Sequence, residues 1–186
     1  MPTWDDEYLD RVSDRLQHNY DLFRDFAIAG HRFDLYGQMR LESEKHFFHP
    51  ALAYGQHAST EHLLARRAGS VTTADLEALV ALGHRLADAW IVPDETHFST
   101  DFTFAVVAPS VPDDVASFVD GYADRNLLKY GFNGHYEVNL LVVAPEVEAV
   151  VASEHADVGT AFRLWEPIEP PKPPGLLGLI ARRLQI

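Results

Sequence analysis

The chain contains no cysteine, which removes disulfides, thiolate nucleophiles and thiolate zinc sites together. Lysine is nearly missing too: Lys45, Lys129 and Lys172 stand against twelve arginines. No apolar run approaches the roughly 18 residues needed to cross a bilayer. The opening MPTWDDEYLDRV is acidic and has no apolar core, so no signal peptide is expected and the cytoplasm is the default location. Nucleotide and nucleophile signatures are absent as well: there is no Walker A loop, no G-x-G-x-x-G and no G-x-S-x-G elbow. Ser99, Ser110 and Ser153 therefore read as capping or turn residues, and no internal repeat of solenoid period is present.

What remains is enough for a core. Of 186 residues, 47% are hydrophobic and 11% aromatic, a composition that argues for one folded domain and against disorder. The net charge of -13 repels nucleic-acid phosphates, whose binding rests on Lys and Arg, so no nucleic-acid partner is expected. Aspartate outnumbers glutamate, and with so little lysine the surface suits concentrated salt, where self-repulsion is screened.

Apolar spacing from Trp4 to Phe26 predicts a helix that stops near Gly30. From Phe33 to Glu42 apolar and polar residues alternate, the pattern of a half-buried strand. A reversal at Glu42 to Lys45 would return His46 to Tyr54 as the second strand of a hairpin, with Pro50 favouring an edge or a bulge. Ser59 to Arg67 is expected as a short helix. Thr72, with Asp75 three positions on, opens a longer one whose stripe is Leu76, Leu79, Val80, Leu86 and Trp90, broken by Pro93. Phe98 to Ala108 and Tyr136 to Val143 read as strands, and Asp113 and Asp114 lead a helix between them. Short helices are expected over Glu146 to Ser153 and Asp157 to Trp165. The resulting order, α, β, β, α, α, β, α, β, α, predicts an α+β fold: a mixed or antiparallel sheet of about four strands, one hairpin included, packed with helices. The domain spans 1–166, a proline-rich linker covers 167–175, and 176–186 closes the chain as an amphipathic helix. That helix either covers the sheet or meets a partner or a membrane surface.

Chemistry is sought first on the polar faces of the strands. Asp34, Tyr36, Gln38 and Arg40 share one face of their strand; Asp101 and Thr103 share another, as do His135, Glu137 and Asn139. Asp101 and Glu137 are the catalytic candidates, because paired carboxylates hold Mg²⁺ or perform acid–base work. Asp34, Gln38, His135 and Asn139 are the binding candidates around them. The plainer reading is a solvated sheet face. His46, His49, His57 and His97 are candidate metal ligands, set against imidazoles that merely bond locally at strand ends. The run from His57 through Glu61-His62 is one residue too long for the H-x-x-E-H metalloprotease motif, which turns His57 by about 100° on a helix. A nuclease of the PD-(D/E)xK kind fails because Glu42-Ser43-Glu44-Lys45 misses the spacing and Glu137-Val138-Asn139 lacks the lysine.

Six segments, WDDEYLDRVSDRL, RFDLYGQM, EKHFFHPAL, HFSTDFTF, GHYEVNLLVVAP and PGLLGLIARRL, make the chain resemble an uncharacterised protein family of haloarchaea over nearly its full length. The resemblance implies a salt-rich habitat and carries no activity or site residue with it. The expectation is thus a halophilic module binding a protein or small ligand, with no cofactor predicted. The alternative is a small hydrolase dependent on a divalent metal, its carboxylate and histidine site on the sheet.

Overall fold

A computed structural model describes residues 2–44 and 56–167. Its centre is a seven-stranded mixed sheet, larger than the four strands expected. In chain order the elements are α1 (Glu7–Leu16), β1 (Asp21–Ile28), β2 (His31–Glu44), β3 (Gln56–Arg67), α2 (Thr73–Trp90), β4 (His97–Val107), α3 (Asp113–Asp120), β5 (Arg125–Leu127), β6 (His135–Ala144), β7 (Ala149–Ala152) and α4 (Gly159–Phe162). The strands lie in the order β1-β2-β3-β4-β6-β5, and β7 pairs with the later part of β6. β1, β2 and β3 form an antiparallel meander, whereas β3, β4 and β6 run parallel. Parallel neighbours require crossovers, which α2 and α3 provide.

The first expected helix is cut short. Asp6 accepts from the Tyr8 and Leu9 backbone N–H groups, and Leu9, Val12 and Leu16 are buried, but the helix ends at Leu16. Beyond it, β1 pairs with β2 in the register Asp21↔Gln38 through Ile28↔His31. Gly30, read as a helix stop, is half of a two-residue hairpin turn. Ala29 and Gly30 both have positive φ, 50° and 81°, the turn whose twist matches the flanking strands.

The partner of β2 is β3, registered from Leu35↔Ala65 to Glu44↔Gln56. The expected return strand at His46 to Tyr54 lies outside the described residues. The helix expected over Ser59 to Arg67 is instead the last strand of the meander, β3, which pairs in parallel with β4 on its other side. His62 and Leu64 face one side while Leu63 and Ala65 face the other, all buried. A strand covered on both sides shows no clean alternation, so its sequence did not announce it.

α2 follows expectation. Thr72 and Asp75 form a reciprocal capping box, and Leu76, Leu79, Leu82, Gly83 and Leu86 are buried. β4 and β6 also hold, with Val138 through Ala144 fully buried except Asn139. The helix expected over Glu146 to Ser153 is replaced by a tight turn at Pro145–Val147 and by β7. Glu148 takes a left-handed conformation, φ 52°, which reverses the chain onto β6. Of the helix expected over Asp157 to Trp165, one turn forms, α4.

Helices cover both faces. α2 and α3 pack on one, over Leu64, Phe104, Leu140 and Val142; α1 and α4 pack on the other, over Leu63, Ala105, Leu141 and Val143. The Tyr8 hydroxyl donates to the Phe162 carbonyl at 2.5 Å, and Arg15 donates to the Arg163 and Glu166 carbonyls, joining α1 to the end of the chain described. The C-terminal segment 176–186 lies outside the described residues.

Candidate functional site

Strand parity places two different sites on the two faces of the sheet. On the α2 face, the side chains of Gln38, His62 and Phe102 follow one another across β2, β3 and β4. The next row is Arg40, Thr60 and Thr100. Trp90 closes α2 above these rows, and Phe26 of β1 completes a wall. These residues, Phe102 excepted, line a cavity of about 550 Å³. It opens at the amino ends of β3 and β4, opposite to the carboxyl ends where parallel sheets ordinarily hold ligands.

The inner half of this cavity is aromatic. Phe26 stacks on Tyr36 at 4.2 Å between ring centroids, His62 stacks on Phe102 at 5.1 Å, and Trp90 stands edge-on to His62 at 4.9 Å. The Tyr36 hydroxyl lies 2.8 Å from His62 Nδ1. Burial, assisted by the Arg40 charge, pushes the His62 pKa down to about 4, so the ring is neutral at physiological pH. The Tyr36 hydroxyl can donate to Nδ1, a tautomer that leaves the proton on Nε2, where it could meet a ligand.

The outer half is polar. Arg40, Thr60 and Thr100 line it, with His97 at the rim. His97 Nδ1 donates to the Asn133 carbonyl at 2.7 Å, and Nε2 lies 2.9 Å from the Thr100 hydroxyl. Asp94 accepts from the Thr96 and His97 backbone N–H groups and from the Thr96 hydroxyl, so its carboxylate organises the loop into β4. Among the described residues Arg40 is the one cation of the lining.

The α1 face carries a row of carboxylates. Register places Met39, Glu61, Asp101 and Glu137 side by side on β2, β3, β4 and β6. Adjacent strands are about 4.8 Å apart, and two charges about 5 Å apart at an effective dielectric of 20 repel by roughly 3 kcal/mol. Asp101, flanked on both sides, takes the consequence: burial and then the Glu137 and Glu61 charges raise its pKa to about 7. Burial, with Asp157 adding to it, also raises the Glu61 pKa, against a hydrogen bond from the Tyr20 hydroxyl. Glu137 is compensated from outside the row. His155 Nδ1 lies at 2.9 Å, His135 Nε2 at 3.5 Å and Arg125 Nε at 3.6 Å from its carboxylate oxygens.

The structure brings Asp101 and Glu137 together through the register of β4 on β6, and sets His135 beside Glu137. Asn139 is buried one row further along the same face, within 3.4 Å of the Ser153 hydroxyl. Gln38 is separated from them by the sheet itself: it lines the α2-face cavity. Asp34 belongs to neither site, because its carboxylate accepts the Arg67 backbone N–H at 2.7 Å. His97 sits at the cavity rim with both ring nitrogens engaged. His46 and His49 lie outside the described residues, and of His57 only the backbone pairing with Ser43 is described. Among the described residues no three His, Asp or Glu side chains are grouped to hold a metal ion. Tyr36, His62, Trp90 and Glu61 were missed as site residues. Glu61 and His62 fall in the Ser59 to Arg67 stretch expected as a helix, and Trp90 in the core stripe of α2.

A family description, Domain of unknown function (DUF8052), matches residues 5–164. The chain belongs to this family. The match spans every element from the N-cap of α1 to the end of α4, so both sites lie within the family's domain. Comparison with curated proteins found no match, and comparison with solved structures found none. No helix among the described residues is long and apolar enough to cross a membrane.

Proposed function

We propose that this domain binds a small planar organic acid, an aromatic carboxylate, in the cavity on the α2 face. The observation that carries the reading is the division of that cavity: an aromatic inner wall of Phe26, Tyr36, His62 and Trp90, and the Arg40 guanidinium in the polar outer half. A volume of about 550 Å³ is in the usual range for small-molecule sites, which are mostly apolar with a few oriented polar groups. A flat ring gains stacking on the inner wall. Its carboxylate gains the Arg40 charge and the Thr60 and Thr100 hydroxyls.

The test is a heteronuclear NMR titration with benzoate, 4-hydroxybenzoate and salicylate, using acetate and benzyl alcohol as controls. The expected result is a set of shifts at the Trp90 indole, His62 and Thr100, stronger for the aromatic acids than for either control. Arg40→Ala should weaken binding about tenfold. No response at millimolar concentration, or a response indifferent to Arg40→Ala, would sink the reading.

A second reading rests on Asp101, a carboxyl held near its protonation midpoint at neutral pH beside Glu137. Such a pair suits general acid–base work, since perturbed groups cluster at catalytic sites. In its metal-dependent form this reading makes the domain a small hydrolase. Calorimetric titration with Zn²⁺, Mn²⁺ and Mg²⁺ tests it: binding should vanish in Asp101→Ala and Glu137→Ala. No heat with the wild-type chain would end the metal version.

A further inference from the structure

A groove of about 450 Å³ opens on the α1 face, where the end of α1, the far part of β2 and the approach to α4 meet. Leu16, Met39, Leu41 and Val158 supply its apolar lining, and Glu61 and Asp157 stand among them. β1 stops opposite Gln38, so beyond that point β2 has a neighbour on one side only among the described residues. Leu41, in this edge stretch, is 56% exposed. A large apolar side chain on an uncovered strand edge is a surface that proteins ordinarily cover.

We propose that residues 176–186 of this same chain occupy the groove, setting their leucines against Leu16, Met39 and Leu41 and an arginine against Glu61 and Asp157. Three observations support this occupant. The first is position: Arg15 lines the groove and also donates to the Glu166 carbonyl at 2.9 Å, so the chain leaves the domain at the groove's rim. The second is reach. The linker 167–175 is rich in proline, and nine extended residues at ~3.1 Å each span about 28 Å. The third is charge: in a chain of net charge -13, the stretch after Pro167 carries Lys172, Arg182 and Arg183 against Glu169 alone. Glu61 is a half-buried carboxyl on which, among the described residues, no cation acts, only the Tyr20 hydroxyl and the like charge of Asp157. Tethering makes the encounter intramolecular at an effective concentration in the millimolar range, so a short apolar segment suffices.

The absence of cysteine makes the test clean. A nitroxide is attached to the full chain through Gln185→Cys, and methyl signals are followed by NMR. Leu16, Met39, Leu41 and Val158 should broaden strongly, and Arg182→Glu with Arg183→Glu should restore them. A mixture of isotope-labelled chain without nitroxide and unlabelled chain with it should show no broadening. Intact groove signals in the first sample would overturn the proposal, as would broadening that survives the two charge reversals. Broadening in the mixed sample would assign the groove to a second copy and overturn it equally.

Discussion

The Tyr36 hydroxyl and His62 Nδ1 meet at 2.8 Å inside an aromatic wall, and burial of the imidazole there, with the Arg40 charge, sets how the cavity responds to acid. The folded pKa of His62 is about 4, below the usual value near 6.5. The folded state therefore binds fewer protons between these values, and stability present above pH 6.5 is lost as pH falls toward 4. The full effect is about 3 kcal/mol, at roughly 1.4 kcal/mol per pKa unit. Urea unfolding at pH 7 and pH 4.5 should show His62→Gln losing clearly less stability on acidification than the wild type. Equal losses would mean that other groups govern the acid limb.

Asp101 acts in the opposite direction over much of the same window. Its pKa of about 7 exceeds the unfolded value near 3.9, so its ionised form penalises the folded state above pH 7, and the penalty fades as pH falls. Asp101→Asn should stabilise the protein at pH 8 by roughly 2 kcal/mol, after allowing for solvent screening at a partly exposed group. The gain should be gone by about pH 4. It should also make acid destabilisation steeper, because the compensating protonation is removed. Thermal midpoints of the variant and the wild type from pH 4 to pH 8 check both signs.

Gly83 illustrates a cost that helix propensity alone would misjudge. Alanine in a helix is ordinarily better than glycine by about 1 kcal/mol. A Cβ at Gly83 would lie 2.8 Å and 3.0 Å from the Val138 methyls and 3.1 Å from a Phe104 ring carbon. Overpacking of this kind costs about 1–3 kcal/mol. Gly83→Ala should lower the urea midpoint; a raised midpoint would show that β6 yields easily beneath α2.

The acidic charge balance of the sequence yields a prediction about salt. With 28 acidic against 15 basic residues, self-repulsion falls as ions screen it. The thermal midpoint should rise between dilute buffer and molar KCl. A midpoint independent of salt would contradict the halophilic reading of the composition.

Local features carried part of the fold into plain view. The Thr72–Asp75 cap and Pro93 bounded α2 because capping and helix breaking act within a few residues. Asp101 and Glu137 fell on one face because parity along a strand is a local property, and parallel pairing then brought them into register. Elsewhere local pattern misled. Phe23 and Phe26 continued the helical spacing of Leu16, yet a hairpin turn at Ala29-Gly30 made their segment a strand. Glu61 and His62 sat in a run whose neighbours are buried on both faces, which erases the alternation that marks a strand.

The sequence by itself determined the class of fold, the strongly acidic charge balance, the long α2 helix, the buried β4 and β6 strands, and the strand face on which each of Asp101 and Glu137 lies. Only the tertiary structure decided that β3 is a strand, that Gln38 and Asp101 are divided by the sheet, and that Tyr36, His62 and Trp90 converge. The physical reason is range. Capping, turn preference and side-chain alternation are set by residues a few positions apart. Which strands pair, and which face each helix covers, is set by burial summed over the whole chain.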